Sequence, residues 1–354
     1  MCARNRRNAR RAVLMSRLKV GVVGATGVLG GELVRLLAQH PEVELSAVCS
    51  SRLSGQLLHQ TRPALRGAGD LVLRSFDADE LARSCELIFL ALPHGASGEP
   101  AQALIARGLK VIDLGSDFRL RDDDDVRRYY GGEPAAGALR AQAHYGLPEL
   151  TGGAPSGCHL IANPGCFATA LALALTPLAA SLTSGAQVQI FGVTGSSGSG
   201  AIASDRVHHS YRRTSFTAYK SLRHQHLGEV RQLLAERGQV PHIAFIPHSS
   251  ALVRGIHITL CCRRDELRAE PGELLHAAYD NSTFVDVQQG EIPLGAVIGS
   301  NRALLGYGGD PHQALVFCAI DNLLKGGSGQ AVQNMNLLYG FGEDTGLPRL
   351  GSWP

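Results

Sequence analysis

From Leu18 onward, short apolar runs alternate with segments whose apolar residues recur at helical spacing. KVGVVG is a continuous apolar run and predicts a buried strand. GGELVRLLAQH follows, with Leu33, Leu36 and Leu37 on one side, and predicts an amphipathic helix. VELSAVCS then predicts a strand, DADELARSC a helix, LIFLALP a strand, AQALIARG a helix and LKVIDLGS a strand. Strands alternating with helices need right-handed crossovers, which build a parallel sheet. The expectation over residues 16–162 is an α/β, Rossmann-type doubly wound nucleotide-binding domain.

Between residues 150 and 165 the pattern changes. CHLIANPGCFATALALALTPLAA reads as a strand, a tight turn and a strongly apolar helix. Strand-like runs follow at AQVQIFGVTG, HIAFIPH, VRGIHITLCC, TFVDVQQG and ALVFCAID, with helical stretches at HLGEVRQLLAERG and ELLHAAYDN. More strands and fewer helices predict an α+β catalytic domain over 163–320, a mixed sheet with helices packed on one face. DNLLKGGSGQAVQNMNLLYGFG, within 321–354, predicts a last helix. The acidic run Asp122 to Asp125 reads as a solvated turn and helix start.

Composition narrows the class. At 354 residues the chain is long enough for two domains sharing an interface, and a net charge of +3 gives no reason to expect a nucleic-acid partner. No apolar run approaches the roughly 20 residues a membrane span needs. The eight cysteines are scattered without a C-x-x-C pair, which argues for reduced cytosolic thiols and a cytoplasmic location, and against a zinc site or disulfide framework. The opening MCARNRRNARRAVL, residues 1–15 with Met15, is basic and lacks a secretory apolar core. It is expected to be an over-extended start or a disordered arm, outside the fold.

Gly24-Ala25-Thr26-Gly27-Val28-Leu29-Gly30 falls between the first strand and first helix, where a glycine motif carries meaning. The first glycine allows the turn, the second lets backbone approach a pyrophosphate, and the third lets the helix pack close. The helix start supplies unpaired N–H groups to the same anion. The second strand ends in Cys49-Ser50-Ser51-Arg52, without the carboxylate that holds the ribose hydroxyls of NAD. Hydroxyls and a guanidinium suit a 2′-phosphate, so the expected cofactor is NADP, touching Gly24, Thr26, Gly27, Val28, Leu29, Ser50, Ser51 and Arg52. Pro93 and His94 end a later strand near the same edge. His94 reads equally well as a ligand contact or a turn residue.

Cys166 stands apart from the other cysteines. It follows Asn163-Pro164-Gly165 and opens an apolar helix, where backbone N–H groups bias a thiol towards thiolate. His224-Gln225-His226, followed by Glu229, reads as metal ligands, surface histidines, or an acid/base with an orienting carboxylate. Metal binding is the weakest, with no further ligands spaced to help, and acid/base chemistry suits a group that titrates near neutrality. Thr194 to Gly200 (TGSSGSG) is a loop of small residues after a strand, able to converge amides on an anion or approach a nicotinamide.

Taken together, GATGVLGGELVRLL, FLALPHG, VIDLGSDFRL, YGLPEL, NPGCFATA, VTGSSGSG, HQHLGE and DNLLKGGSGQAVQNMNL resemble the N-acetyl-gamma-glutamyl-phosphate reductases of arginine biosynthesis, within the semialdehyde dehydrogenases. The resemblance runs from about Met15 to the C-terminus. It implies that Cys166 forms a thioester with an acyl phosphate, that NADPH reduces it to the semialdehyde, and that His226 is the acid/base. It implies cofactor contacts from Ser197, Gly198 and Asn322, help from the Asn322–Lys325 helix start in placing nicotinamide and substrate, and substrate contacts from Arg119, Asn163, His224, Glu229 and Arg254. A homodimer or homotetramer through the second domain is implied too, with the last helix returning to the first domain. Where the family has Thr-Pro-Glu after its second histidine, this chain has Leu227-Gly228-Glu229, and VHHSYRRTSFTAYK is more basic than expected. Both lie near the acyl group, leaving N-succinyl or carrier-linked aminoadipyl phosphates open. Aspartate-semialdehyde dehydrogenase is the nearest enzymatic rival, and an NADP-binding regulator without catalysis a rival of another class.

Overall fold

The computed structural model describes residues 17–352 apart from Ala136 and Ala203, with Arg206 described by its backbone alone. The expected basic arm lies outside the described residues. Fourteen strands form two seven-stranded sheets.

The first sheet contains β1 (Leu18–Val23), β2 (Val43–Cys49), β3 (Leu73–Arg74), β4 (Leu87–Leu90), β5 (Lys110–Asp113), β6 (His144–Tyr145) and β7 (Leu160–Ala162). Its order is β3-β2-β1-β4-β5-β7-β6, every pair parallel. The continuous apolar runs follow from burial on both faces. One face packs Leu33, Val34, Leu36 and Leu37 of the helix Val28–Leu37 together with Ala331, Val332, Met335 and Leu338 of the last helix, Gly329–Tyr339. The other packs Leu81, Ala101 and Leu104 from the crossover helices Ala78–Ser84 and Gly98–Ile105. This is the doubly wound fold that the pattern predicts.

The second sheet contains β8 (Gln187–Thr194), β9 (Thr217–Ala218), β10 (His242–Ser249), β11 (Ile256–Arg263), β12 (Val285–Gln289), β13 (Ala303–Gly309) and β14 (Gln313–Ile320). It is mixed: β8 runs parallel to β10 and antiparallel to β11, and β14 lies antiparallel between β11 and β13. The helices Cys166–Ala179, His226–Ala235 and Pro271–Tyr279 share one core with this sheet, as the α+β expectation requires. On β8, Val188 and Ile190 face that core while Gln187, Gln189 and Phe191 face solvent.

Three details differ from the sequence reading or refine it. β13 (ALLGYGG) carries no strand signal, because three glycines in seven residues dilute its β propensity. The last helix is not regular from Asn322 onward: Leu324–Ser328 is a π-helical turn, and regular helix begins at Gly329. The acidic run is a helix start, with Asp122 accepting the N–H groups of Asp124 and Asp125, but Asp123 also pairs with the buried guanidinium of Arg140. The seven described cysteines are all free thiols, and no described helix is long and apolar enough to cross a membrane.

Candidate active site

Cys166 is the first residue of its helix, with Gly165 as a cap that offers no side chain. His226 opens the neighbouring helix, and its Nδ1 accepts the backbone N–H of Phe167 at 3.2 Å. The ring crosses directly over Gly165, where any Cβ would collide with the imidazole. The glycine of NPGC is therefore needed to let the histidine close on the Cys166 turn. From the other side the π-turn approaches Cys166, and a Cβ on Gly326 would sit 2.9 Å from the Cys166 Cβ.

Behind this pair lies a buried polar cluster. The Glu229 carboxylate, with 0% exposure, accepts the Gly165 N–H at 3.0 Å, the Tyr145 hydroxyl at 2.7 Å and the Tyr130 hydroxyl at 2.5 Å. Arg119 reaches Glu229 at 3.5 Å and donates to the carbonyls of Asn163 at 2.8 Å and Leu114 at 2.7 Å. Asn163 donates to Gly327 O and accepts from Asn334. His224 packs edge-on against Phe167, Tyr219 and Phe245, and its Nδ1 accepts the His226 N–H. Arg119, Asn163 and Glu229, expected to touch substrate, hydrogen-bond to protein partners, and His224 does so through Nδ1. All four are gathered around the Cys166 turn.

The electrostatics correct one expectation. Burial pushes the Cys166 thiol up to about 11, against the opposing pull of the Phe167 N–H and Arg119, and Glu229 adds to the rise. The helix start alone does not yield a resting thiolate, because desolvation outweighs it. Burial also holds His226 well below the usual histidine range, reinforced by the charge of Arg119 and by His94. Burial likewise pushes His224 down to about 2. His94 stands exposed at the rim, its ring 5.6 Å from that of Tyr130.

The nucleotide turn has the expected build. Gly24 has φ +87°, and a Cβ there would collide with the Ala91 carbonyl. Gly27 caps the helix Val28–Leu37 without a side-chain bond, so the helix start faces outward bare. Thr26 Oγ1 lies 3.1 Å from Ser50 Oγ, and Ser51 and Arg52 are exposed beside them. Pro93 is exposed in the turn after β4. The sequence reading missed Arg62, whose guanidinium grips the Thr26 carbonyl at 2.7 and 3.1 Å. No motif marks it, since it arrives from the excursion after β2.

The C-terminal segment joins the two halves. Gly327 packs against Leu29, and Ser328 Oγ donates to the Leu29 carbonyl at 2.8 Å. Asn322 donates to Ser197 at 3.0 Å and accepts the Gly255 N–H at 2.6 Å, which fixes the Ser197–Gly198 loop and occupies its own amide. Lys325, expected near the reacting groups, is instead fully buried against Glu149 at 2.5 Å. Arg254, expected to touch substrate, bridges Glu32 on the first helix, at 3.0 Å, and Asp321 at the end of β14, also at 3.0 Å. Its charge is consumed in holding the nucleotide domain to the second sheet. Among the described residues no cluster of three or more His, Cys, Asp and Glu side chains is spaced for a metal.

Known proteins resemble this chain over nearly its full length. Residues 19–154 match the semialdehyde dehydrogenase NAD binding domain, and residues 166–322 match the semialdehyde dehydrogenase dimerisation domain. The chain is 40% identical to the N-acetyl-gamma-glutamyl-phosphate reductase of Alkalilimnicola ehrlichii, covering 93% of this chain and 98% of that one. It is 42% identical to the enzyme of that name from Methanopyrus kandleri, covering 95% and 99%. It is 36% identical to the putative LysW-L-2-aminoadipate/LysW-L-glutamate phosphate reductase of Nitrosopumilus maritimus, covering 93% and 98%. Aspartate semialdehyde dehydrogenase II from Vibrio cholerae has the same fold, with a TM-score of 0.68 at 16% identity over 91% of this chain and 98% of that one. With a nicotinamide-binding domain, a cysteine turn under a histidine and these relatives, the chain belongs to the semialdehyde dehydrogenase family, in the group of the N-acetyl-gamma-glutamyl-phosphate reductases.

Proposed function

We propose that this protein reduces N-acetyl-gamma-glutamyl phosphate to N-acetyl-L-glutamate 5-semialdehyde and phosphate, the third step of arginine biosynthesis, through a thioester on Cys166. The observation that carries the reading is identity of about 40%, over nearly the full length, to chains named for this reaction. The Cys166–His226 turn supplies the chemistry that such a reaction needs.

The cofactor in this reading is NADPH. The Gly24 cradle, which a Cβ would fill, and the bare start of the helix Val28–Leu37 fit a pyrophosphate. The hydroxyls of Ser50 and Ser51, the guanidinium groups of Arg52 and Arg62, and the lack of a carboxylate at the end of β2 support a 2′-phosphate. The reduced nicotinamide, when bound, supplies the hydride. Equal affinity for NADP and NAD would sink the choice of NADP.

In the chain's own steps, the Cys166 sulfur attacks the acyl-phosphate carbonyl and phosphate leaves, giving the thioester. The thiol proton leaves with the phosphate group, which departs as hydrogen phosphate. After reduction an oxyanion stands on the carbon bound to sulfur, and the Nε2–H of His226 holds it by a hydrogen bond. Collapse then releases the aldehyde and returns the Cys166 thiolate.

A second reading has one observation in its favour: the relative from Nitrosopumilus maritimus is named for carrier-linked acyl groups and matches 93% of this chain. One panel separates the readings. In the phosphate-dependent reverse direction, N-acetylglutamate semialdehyde should be oxidised faster than N-succinyl, carrier-linked and aspartate semialdehydes. Preference for any of those three transfers the assignment to it. The exposed face of β8 with Phe191, in the domain matched to a dimerisation model, supports a homodimer or homotetramer, which light scattering tests; a monomer would refute it.

A further inference from the structure

The two arginines Arg254 and Arg212 have opposite fates. Arg254 is paired through Nε and Nη2 with Glu32 and Asp321. Arg212 ends the short helical turn His209–Arg212 and is only 8% exposed. Its Nη1 donates to Ser249 Oγ at 2.8 Å. Its Nε and Nη2 are buried and have no hydrogen-bond partner among the described residues. Burial disfavours its charge, and no described carboxylate forms an ion pair with it. Leaving buried donors of a charged group unmade is costly, so such a group calls for an explanation.

The unpaired atoms identify the kind of ligand. Nε and Nη2 form the guanidinium edge whose two N–H bonds run parallel and match the two oxygens of a carboxylate. The same molecule uses that edge for this purpose elsewhere, as in the Arg263–Asp265 pair. Arg107 holds Asp79 through Nε at 2.7 Å and Nη2 at 3.0 Å, and Arg35 holds Glu32 through Nε at 3.2 Å and Nη2 at 2.8 Å.

The position identifies which carboxylate. Ser249 ends β10 beside Thr194, which ends β8 and leads into the Gly195–Gly200 loop. Tyr219 lies within electrostatic reach of Arg212. The Tyr219 ring is 5.7 Å from that of His224, and the His224 ring is 4.8 Å from that of His226. Arg212 is therefore linked to the reacting sulfur through Tyr219, His224 and His226 rather than set against it. A transferred phosphate must hang on the carbon that Cys166 attacks, so the distant group is the other end of the acyl chain.

We propose that Arg212 anchors the substrate by gripping, through Nε and Nη2, the carboxylate that the acyl chain carries away from its phosphate. This rests on the proposed function, and assigns to Arg212 the recognition expected of Arg254. It makes the enzyme selective for acyl phosphates of amino dicarboxylic acids whose second carboxyl is free.

The test is phosphate-dependent oxidation of N-acetylglutamate 5-semialdehyde and of its α-carboxamide by the wild type, Arg212→Met and Arg212→Lys. The wild type should lose about ten- to a hundredfold in kcat/KM on the carboxamide, the range for hydrogen bonds to a charged group. Arg212→Met should raise the KM for the semialdehyde by the same factor, leave the KM for phosphate and NADP unchanged, and treat the two substrates alike. Arg212→Lys keeps the cation without the fork and should recover only part of the loss. A rise in the KM for phosphate instead, or an Arg212→Met enzyme with an unchanged semialdehyde KM, overturns the anchor. If Arg212→Met does not fold, the wild-type comparison decides. Wild-type activity that ignores the carboxylate refutes the anchor alone, whereas wild-type inactivity on the semialdehyde refutes the functional reading itself.

Discussion

His226 and Phe167 fix the proton on the imidazole beside Cys166: the Phe167 N–H points at His226 Nδ1 from 3.2 Å. A backbone N–H only donates, so Nδ1 keeps its lone pair and the neutral ring carries hydrogen on Nε2. His224 has no such contact with the Cys166 helix backbone, and its Nδ1 faces the His226 N–H. His226→Asn should therefore lower kcat by about 10²–10⁴-fold. His224→Asn should cost less, since it removes packing behind the ring. Steady-state kinetics on both variants checks this, and a more damaging His224 change would reverse the two roles.

Cys166 is held as a thiol in the free enzyme, since burial pushes it up to about 11. Alkylation consumes thiolate, so its rate at Cys166 should climb about tenfold per pH unit from neutrality towards that value. A plateau near pH 8 would show an activated resting thiolate and defeat this account. Cys166→Ser should abolish turnover while leaving cofactor binding intact, and an active Cys166→Ala enzyme would refute the thioester.

Glu229 and Arg119 form a buried pair, 0% and 5% exposed. Glu229→Gln keeps the shape but strips the charge, leaving the guanidinium uncompensated. Breaking one side of such a pair costs about 3–5 kcal/mol, which urea unfolding should register. The Gly165 N–H also loses its carboxylate, so kcat should fall in the same variant. A change in unfolding free energy below about 1 kcal/mol would mean that water relieves the charge.

Asp113, fully buried at the end of β5, is pushed up to about 6 by burial, against the bonds from Ser97 and Gly115. A carboxyl raised in the folded state favours folding below its unfolded value, and that contribution is lost as pH rises through the folded value. The loss amounts to about 3 kcal/mol for a rise of roughly two units. Asp113→Asn should therefore gain about that much relative to wild type between about pH 4 and about pH 8. A stability difference that does not vary with pH would show that Asp113 does not titrate in this range.

Much of the architecture was legible because it depends on short-range patterns. Apolar runs flanked by helical periodicity marked β1, β2, β4 and β5, and Gly24 to Gly30 marked the nucleotide turn. The Pro164-Gly165 turn before an apolar helix singled out Cys166. β13 escaped because its glycines mask a strand that β14 holds in place. The charged residues were the least legible. Arg254, Lys325 and Glu229 looked like ligand contacts, but their partners Glu32, Glu149 and Arg119 lie more than a hundred residues away in the chain.

The sequence by itself determined the doubly wound sheet, the cysteine at a helix start and the histidine pair, because each is written in neighbouring residues. Only the tertiary structure decided which polar groups are spent and which stay unpaired. A charge is satisfied by whatever the fold brings within hydrogen-bond reach, and sequence distance places no limit on that. The fold closes Arg254 between two carboxylates and leaves one edge of Arg212 without a protein partner among the described residues. It also lays His226 across Gly165, so that a turn residue before the helix becomes the seat of the imidazole ring.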